Sequence, residues 1–329
     1  MSRLIKASDI QPADDPARKL AERREKIIRD ALIAMLLGLS GMFTGAAVLR
    51  LIERFDSRGL AQLLSSSEAQ DLFIAGYQPI ADTMLTAARQ AANDNFKGLI
   101  IYDPLASTEA LRVLRDQLAQ TVLGGAQQAI QAEILAGLRG GASPELTAER
   151  LRVIISLTPQ QAKAVANYRR LLQAGDATAL RRALRDQRFD RRLMRAISGD
   201  TSLTAEQIDE MVAAYAKRSL EHRAKQMAAT EAMQAAVSGI REAHVQAVRA
   251  GRLYESEVKR FWLTAGDELV CPVCSSVPLL NPHGIGVNDE YRTINGPVLA
   301  PVLHPVCRCS ERYVTNMSRL TVPPFSLAA

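Results

Sequence analysis

Residues 204–250 read TAEQIDEMVAAYAKRSLEHRAKQMAATEAMQAAVSGIREAHVQAVRA, and this stretch decides the fold class. Thr204 followed by Gln207 fits a capping box, in which each side chain satisfies the other residue's backbone amide. From Glu206 to about Ala250 there is almost no helix breaker. Ala, Gln, Glu, Arg and Met predominate, and they lose little rotamer freedom in a helix. One long helix is expected here. Aromatic residues make up only 5% of the 329 residues, so the same expectation extends to most of the chain. The fold class is mainly α, a long helical body with a small C-terminal α+β or β-rich module.

The same start signals recur upstream. Ser143-Pro144 is an N-cap followed by proline at the first helical position, opening a helix with Leu146, Leu151 and Ile154. Thr158-Pro159 repeats the device for a helix running through Leu172. Residues 106–140 carry Leu111, Leu114, Leu118, Val122 and Ile130 at helical spacing. Arg58 to Asp94 reads as a helical block broken near Gly76-Tyr77-Gln78-Pro79. Asn95 to Pro104 reads as a brief extended link. Residues 1–20, with Pro12 and Pro16 among charges, read as a flexible arm.

From Ala21 to Arg54 the pattern predicts one helix. Its segment 31–49, ALIAMLLGLSGMFTGAAVL, holds nineteen residues with no charge, about the length that spans a bilayer. Gly41 and Gly45 form a G-x-x-x-G step that permits close helix contact. Gly38, Ser40 and Thr44 moderate the run, so a helix buried within a helical domain is the first reading and a membrane span the alternative. The charged first thirty residues give no expectation of a secretory leader.

The net charge of +6 permits contact with a polyanion without requiring one. Seven arginines against two aspartates fall within Arg181–Arg195. On a helix they would spread around the circumference as a solvated face with local Asp–Arg pairs, and no aromatic interleaving supports base stacking. These features divide the chain into an arm (1–20), an N-terminal helical region (21–100), a helical body (101–252) and a C-terminal module (253–329). At Gly251 helix formers give way to Phe261-Trp262-Leu263-Thr264 and to Pro, Gly and Asn turns, where short strands are expected.

All four cysteines fall in this last module: Cys271-Pro-Val-Cys274, then His304-Pro-Val-Cys307-Arg-Cys309. Two thiols three residues apart form a knuckle that puts both on one tetrahedral ion. The candidate ligands are Cys271, Cys274, His304, Cys307 and Cys309. Cys271 and Cys274 would be joined by two of the other three, with His304 plus Cys307 or His304 plus Cys309 the easier geometry. A structural zinc is the first reading. A disulfide such as Cys271–Cys274, and four free thiols, remain alternatives. The paired carboxylates Asp267-Glu268 and Asp289-Glu290 are first of all turn residues, and His222 and His244 fit a polar helix face better than ligation. There is no phosphate-binding loop, nucleophile elbow or dinucleotide fingerprint, so no enzymatic activity is expected.

The run from Lys259 to Glu268, the Cys271-Pro-Val-Cys274 knuckle and the His304-Pro-Val-Cys307-Arg-Cys309 turn together resemble the phage head-morphogenesis family of Mu F-like minor head proteins. The helix Ala224 to Glu231 is similar to that family's alanine–threonine–glutamate helix, although Ala229 stands where arginine is common. The resemblance covers roughly residues 140–315. It implies a structural minor capsid protein, in several copies per virion, at the portal vertex or inside the capsid, and in the host cytoplasm during assembly. The implied partners are the portal protein first, then the major capsid protein and viral DNA. Two other readings stand beside it. One is a metal-dependent nuclease or toxin-like enzyme using the cysteine cluster with a carboxylate such as Asp267. The other is a membrane-active DNA-ejection protein acting through residues 31–49.

Overall fold

A computed structural model describes residues 15–96, 101–124 and 126–315. Among them are eleven α-helices and two strands. The helices are α1 (Pro16–Gly41), α2 (Gly45–Glu53), α3 (Ser57–Leu63), α4 (Ser67–Phe96), α5 (Thr108–Leu123), α6 (Ala126–Gly140), α7 (Pro144–Ser156), α8 (Pro159–Gln173), α9 (Asp190–Ile197), α10 (Ala205–Arg249) and α11 (Pro272–Leu280). The strands β1 (Val258–Leu263) and β2 (Ser310–Thr315) pair antiparallel, with Val258 opposite Thr315 and Leu263 opposite Ser310. The fold is mainly α, with the Cys/His cluster near its C-terminal end.

The helix starts follow the local chemistry. The Ser143 side chain accepts from the Leu146 amide and Thr158 forms a full capping box with Gln161. Thr204 and Gln207 exchange the same pair of bonds at 3.3 and 3.2 Å. Five expectations need correction. The arm does not extend to residue 20, because Pro16 takes the first helical position of α1 and the Asp15 carboxylate accepts from the Arg18 amide. Residues 1–14 of that arm lie outside the described residues. The second correction concerns Pro79, which sits inside α4 without ending it. Packing of the residues around the proline supports the helix there: a side chain at Gly76 would strike Met35, the Tyr77 hydroxyl donates to the Leu111 carbonyl at 2.7 Å, and Ile80 just after the proline is fully buried.

The third correction is that residues 106–140 form two helices, parted after Leu123 near Gly124. Fourth, Arg181–Arg195 is not one helix. Two short 3-10 turns precede α9, because Asp176 and Asp186 cap them by accepting from the amides of Thr178 and Arg188. The arginines do make local pairs: Arg185 with Asp190 at 2.9 Å, and Arg188 and Arg218 with the buried Asp186. The expected link at 95–104 is only partly described. Phe96 ends α4, residues 97–100 lie outside the described residues, and Ile101–Asp103 have no regular structure.

The fifth correction concerns the apolar segment. The helix predicted over 21–54 is broken at residues 42–44, where α1 and α2 meet at a 59° bend. Thr44 is extended and Gly45 takes φ +87°, a backbone that glycine adopts without penalty. Nothing lies within 4 Å of a Cβ built at Gly41 or Gly45, so the G-x-x-x-G step marks no close helix contact. Leu32, Met35, Leu36, Leu39 and Phe43 are buried while Leu37 is exposed, so the segment is buried on one face. Among the described residues no single helix is long and apolar enough to cross a membrane.

The chain divides into two compact units, each assembled from separate stretches. Among the described residues, one takes 15–29, 77–118 and 226–315. The other takes Asp30–Gly76 and Ala119–Lys225. In the second, α6 packs on α3 and α7, α2 packs on the same two helices, and Tyr168 of α8 stacks on Tyr215 of α10 at 4.5 Å. In the first, α10 crosses α4 so closely that a Cβ at Gly239 would overlap the Met84 carbonyl oxygen. Buried alanines on both helices, such as Ala87, Ala88, Ala235 and Ala236, permit that approach. The composition change near Gly251 falls within this first unit, which also carries the cysteines.

Candidate metal centre

The module is built around a charge that its sequence hides. Arg260 of β1 is fully buried and has five partners in reach of its guanidinium. It donates to the carbonyls of Gly286 at 3.1 Å, Leu299 at 2.9 Å and Asp289, and to the Glu311 carboxylate of β2 at 2.8 Å, with the Tyr291 ring 5.2 Å from its centre. Burial, the largest single influence, works against the arginine's charge, but Glu311 together with Tyr313 and Tyr291 outweighs it and holds the pKa above the ordinary value. Burial raises the Glu311 pKa, against the pull of Arg260. The Tyr313 hydroxyl donates to the second Glu311 oxygen at 2.8 Å. One arginine thus ties the irregular stretch 286–299 to the two-stranded sheet, satisfying carbonyls that no strand neighbour reaches.

Against this frame the cysteines converge. Cys271 is the N-cap of α11, with Pro272 next, and its sulfur accepts from the Cys274 amide at 3.4 Å. Both thiols of the knuckle therefore lie at the start of one helix. His304 Nε2 is 3.3 Å from Cys271 Sγ and 3.5 Å from Cys274 Sγ, and Cys274 Sγ is 3.8 Å from Cys307 Sγ. For zinc bonds of about 2.3 Å to sulfur and about 2.0 Å to nitrogen, tetrahedral edges are about 3.8 Å between sulfurs and about 3.5 Å from sulfur to nitrogen. The three separations match those edges. Cys271, Cys274 and His304 form one triad, and Cys274, Cys307 and Cys309 a second, so Cys274 belongs to both. These groups could hold a metal ion. All four cysteines are free thiols, and the alternative Cys271–Cys274 disulfide is not formed.

The second layer suits a cation. His304 Nδ1 is 3.0 Å from the Pro305 carbonyl; a carbonyl only accepts, so Nδ1 carries the proton and Nε2 presents its lone pair to the sulfurs. That same carbonyl raises the His304 pKa. The hydrogen bond from Cys309 pulls the Cys307 pKa down to about 5, while burial pushes that of Cys274 up to about 12. Burial opposes the Cys271 thiolate, but the Cys274 amide and His304 leave its pKa below the ordinary value. Behind the thiols, Trp262, Val277 and Tyr291 pack with Cys274, Cys307 and Cys309 in one apolar cluster, the Trp262 and Tyr291 rings edge to face at 5.1 Å.

Other candidates stand apart from the cluster. Asp267 pairs with Arg308 at 2.6 Å, which lowers its pKa, and the Asp289 carboxylate accepts from the Gly286 amide. His283 and His222 are exposed. His244 is not on a polar face: it is fully buried, stacked on Tyr313 at 3.9 Å, with its Nδ1 2.8 Å from the Ile240 carbonyl. Burial lowers its pKa to about 4. Two features have no signature in the sequence. Glu311 is 51 residues from Arg260 and nothing local pairs them. The Thr230 hydroxyl accepts from the Val306 amide at 2.8 Å, and the two residues are 76 apart in the chain. Compared with protein-family models, with curated proteins and with solved structures, the chain matches none.

Proposed function

We propose that this chain is a phage minor head protein whose C-terminal module is stapled by one structural zinc ion held by Cys271, Cys274, His304 and Cys307. The observation that carries the metal reading is the set of sulfur–nitrogen and sulfur–sulfur separations of 3.3, 3.5 and 3.8 Å around Cys274. Three thiolates and one imidazole in a partly buried setting are the donor set of closed structural zinc sites, and no protein position is left open for substrate. The engagement of Asp267 by Arg308 removes the carboxylate that a hydrolytic reading would use. The module has two strands and one short helix, little apolar core of its own, and an ion binding the folded state adds stability that such a module lacks.

The head-protein reading rests on the run from Lys259 to Glu268 together with the two cysteine motifs, whose residues here assemble into one compact site. On this reading the helical body and the stapled module dock to the portal protein, with the major capsid protein and viral DNA as neighbours in the virion. The test is co-expression with the portal protein of the same virus, followed by isolation of portal rings. A fixed number of copies per ring, lost in Cys274→Ser, is expected. Portal rings free of this chain would overturn the reading.

A further inference from the structure

His304, Pro305, Val306 and Cys307 form a four-residue turn closed by the Cys307 amide donating to the His304 carbonyl at 3.1 Å. Proline in the second place and φ of +61° at Val306 in the third are the pattern of a type II turn, which ordinarily puts glycine third. A β-branched residue at positive φ is strained. Such strain persists only where the surroundings over-determine it, and it gathers at ligand clamps and switches. Val306 is 40% exposed, so packing does not hold it there.

What holds it is a hydrogen bond from another element. The Val306 amide donates to Thr230 Oγ1 of α10 at 2.8 Å, and the same hydroxyl donates to the Gln226 carbonyl one turn back along the helix at 2.8 Å. The hydroxyl therefore bridges the helix to the turn, and the two ends of that turn are the ligands His304 and Cys307. We propose that Thr230 is a positioning residue for the metal site. It keeps Val306 in the left-handed conformation that presents His304 Nε2 and Cys307 Sγ to one ion. By linkage, an ion gripping both ends of the turn in return fastens the turn to α10. This inference rests on the metal reading proposed above and assigns a role to the threonine of the alanine–threonine–glutamate helix.

The test is a zinc titration of the full chain in competition with a chromophoric chelator. Thr230→Val keeps the branched shape and removes the hydroxyl; it is expected to weaken zinc binding by about tenfold, the usual scale for an outer-shell partner. Thr230→Ser keeps the hydroxyl and is expected to bind within about twofold of the unsubstituted chain. Should Thr230→Val fail to fold, hydrogen exchange of the Val306 amide in the unsubstituted chain decides the matter. Exchange slowed by about tenfold when zinc is bound supports the coupling. Equal zinc affinity in Thr230→Val, or Val306 exchange indifferent to zinc, overturns this inference alone. An unsubstituted chain that binds no zinc overturns the metal reading and this inference with it.

Discussion

The helix starts of α7, α8 and α10 and the C-terminal module are stabilised on different length scales. Each helix start is secured by residues three apart: Ser143 with Leu146, Thr158 with Gln161, Thr204 with Gln207. The module is secured by pairs far apart in the chain: Arg260 with Glu311, Cys271 with His304, Thr230 with Val306, and Asp15 with Ser310. Many small local terms make a helical segment tolerant of single changes. A few long-range polar terms make the module vulnerable to each one. Trp262, the chain's only tryptophan, lies in the module's core, so its fluorescence reports on that region separately from the helical signal in circular dichroism.

The largest expected effect is on Glu311→Ala. It leaves the buried Arg260 guanidinium without its carboxylate, and breaking one side of a buried pair typically destabilises by about 3–5 kcal/mol. Trp262 fluorescence during urea unfolding should show an early transition while most helical signal persists. Coincident, unshifted transitions would place the module's stability elsewhere.

A smaller effect tests His244, which packs against Tyr313 of β2. Its folded pKa of about 4 lies below the usual 6.5, so the unfolded chain binds the proton more readily between those values. Its share of stability is therefore present near neutral pH and is lost as pH falls from about 6.5 towards 4, reaching about 2 kcal/mol by pH 5. Glu231 runs the other way, since burial raises its pKa to about 7, so the comparison must be between variants. His244→Phe should gain on the unsubstituted chain by about 2 kcal/mol between pH 7 and pH 5 in urea titrations. A difference independent of pH would contradict the buried neutral imidazole.

The smallest effect belongs to the local side. Thr158→Ala removes the cap of α8 and should cost about 1 kcal/mol in the helical transition, leaving the Trp262 transition in place. A loss as large as that of Glu311→Ala would erase the contrast.

The same difference of scale explains what could be read in advance. Caps at Ser143, Thr158 and Thr204 and the length of α10 were legible, because the determining residues adjoin one another. The candidate ligands were legible as a set, because cysteine spacing encodes the knuckle. Pro79 and the break at residues 42–44 were misread, since a neighbour from another helix outweighs local propensity at the one and an extended Thr44 with left-handed Gly45 sets the other. Arg260 sits in a strand-like run where its neighbours Phe261 and Trp262 announce burial, yet nothing local tells that the arginine is buried too. His244 was misread because its environment is made by Phe96 and Tyr313, both remote in sequence.

On the zinc reading proposed above, Cys274, common to both triads, anchors one ion that staples the module. Native mass spectrometry of the full chain purified without chelator, beside Cys274→Ser, tests it most directly. One zinc per unsubstituted chain and none in the variant is the expected result. An unsubstituted chain without metal, or a variant that keeps its ion, would contradict it.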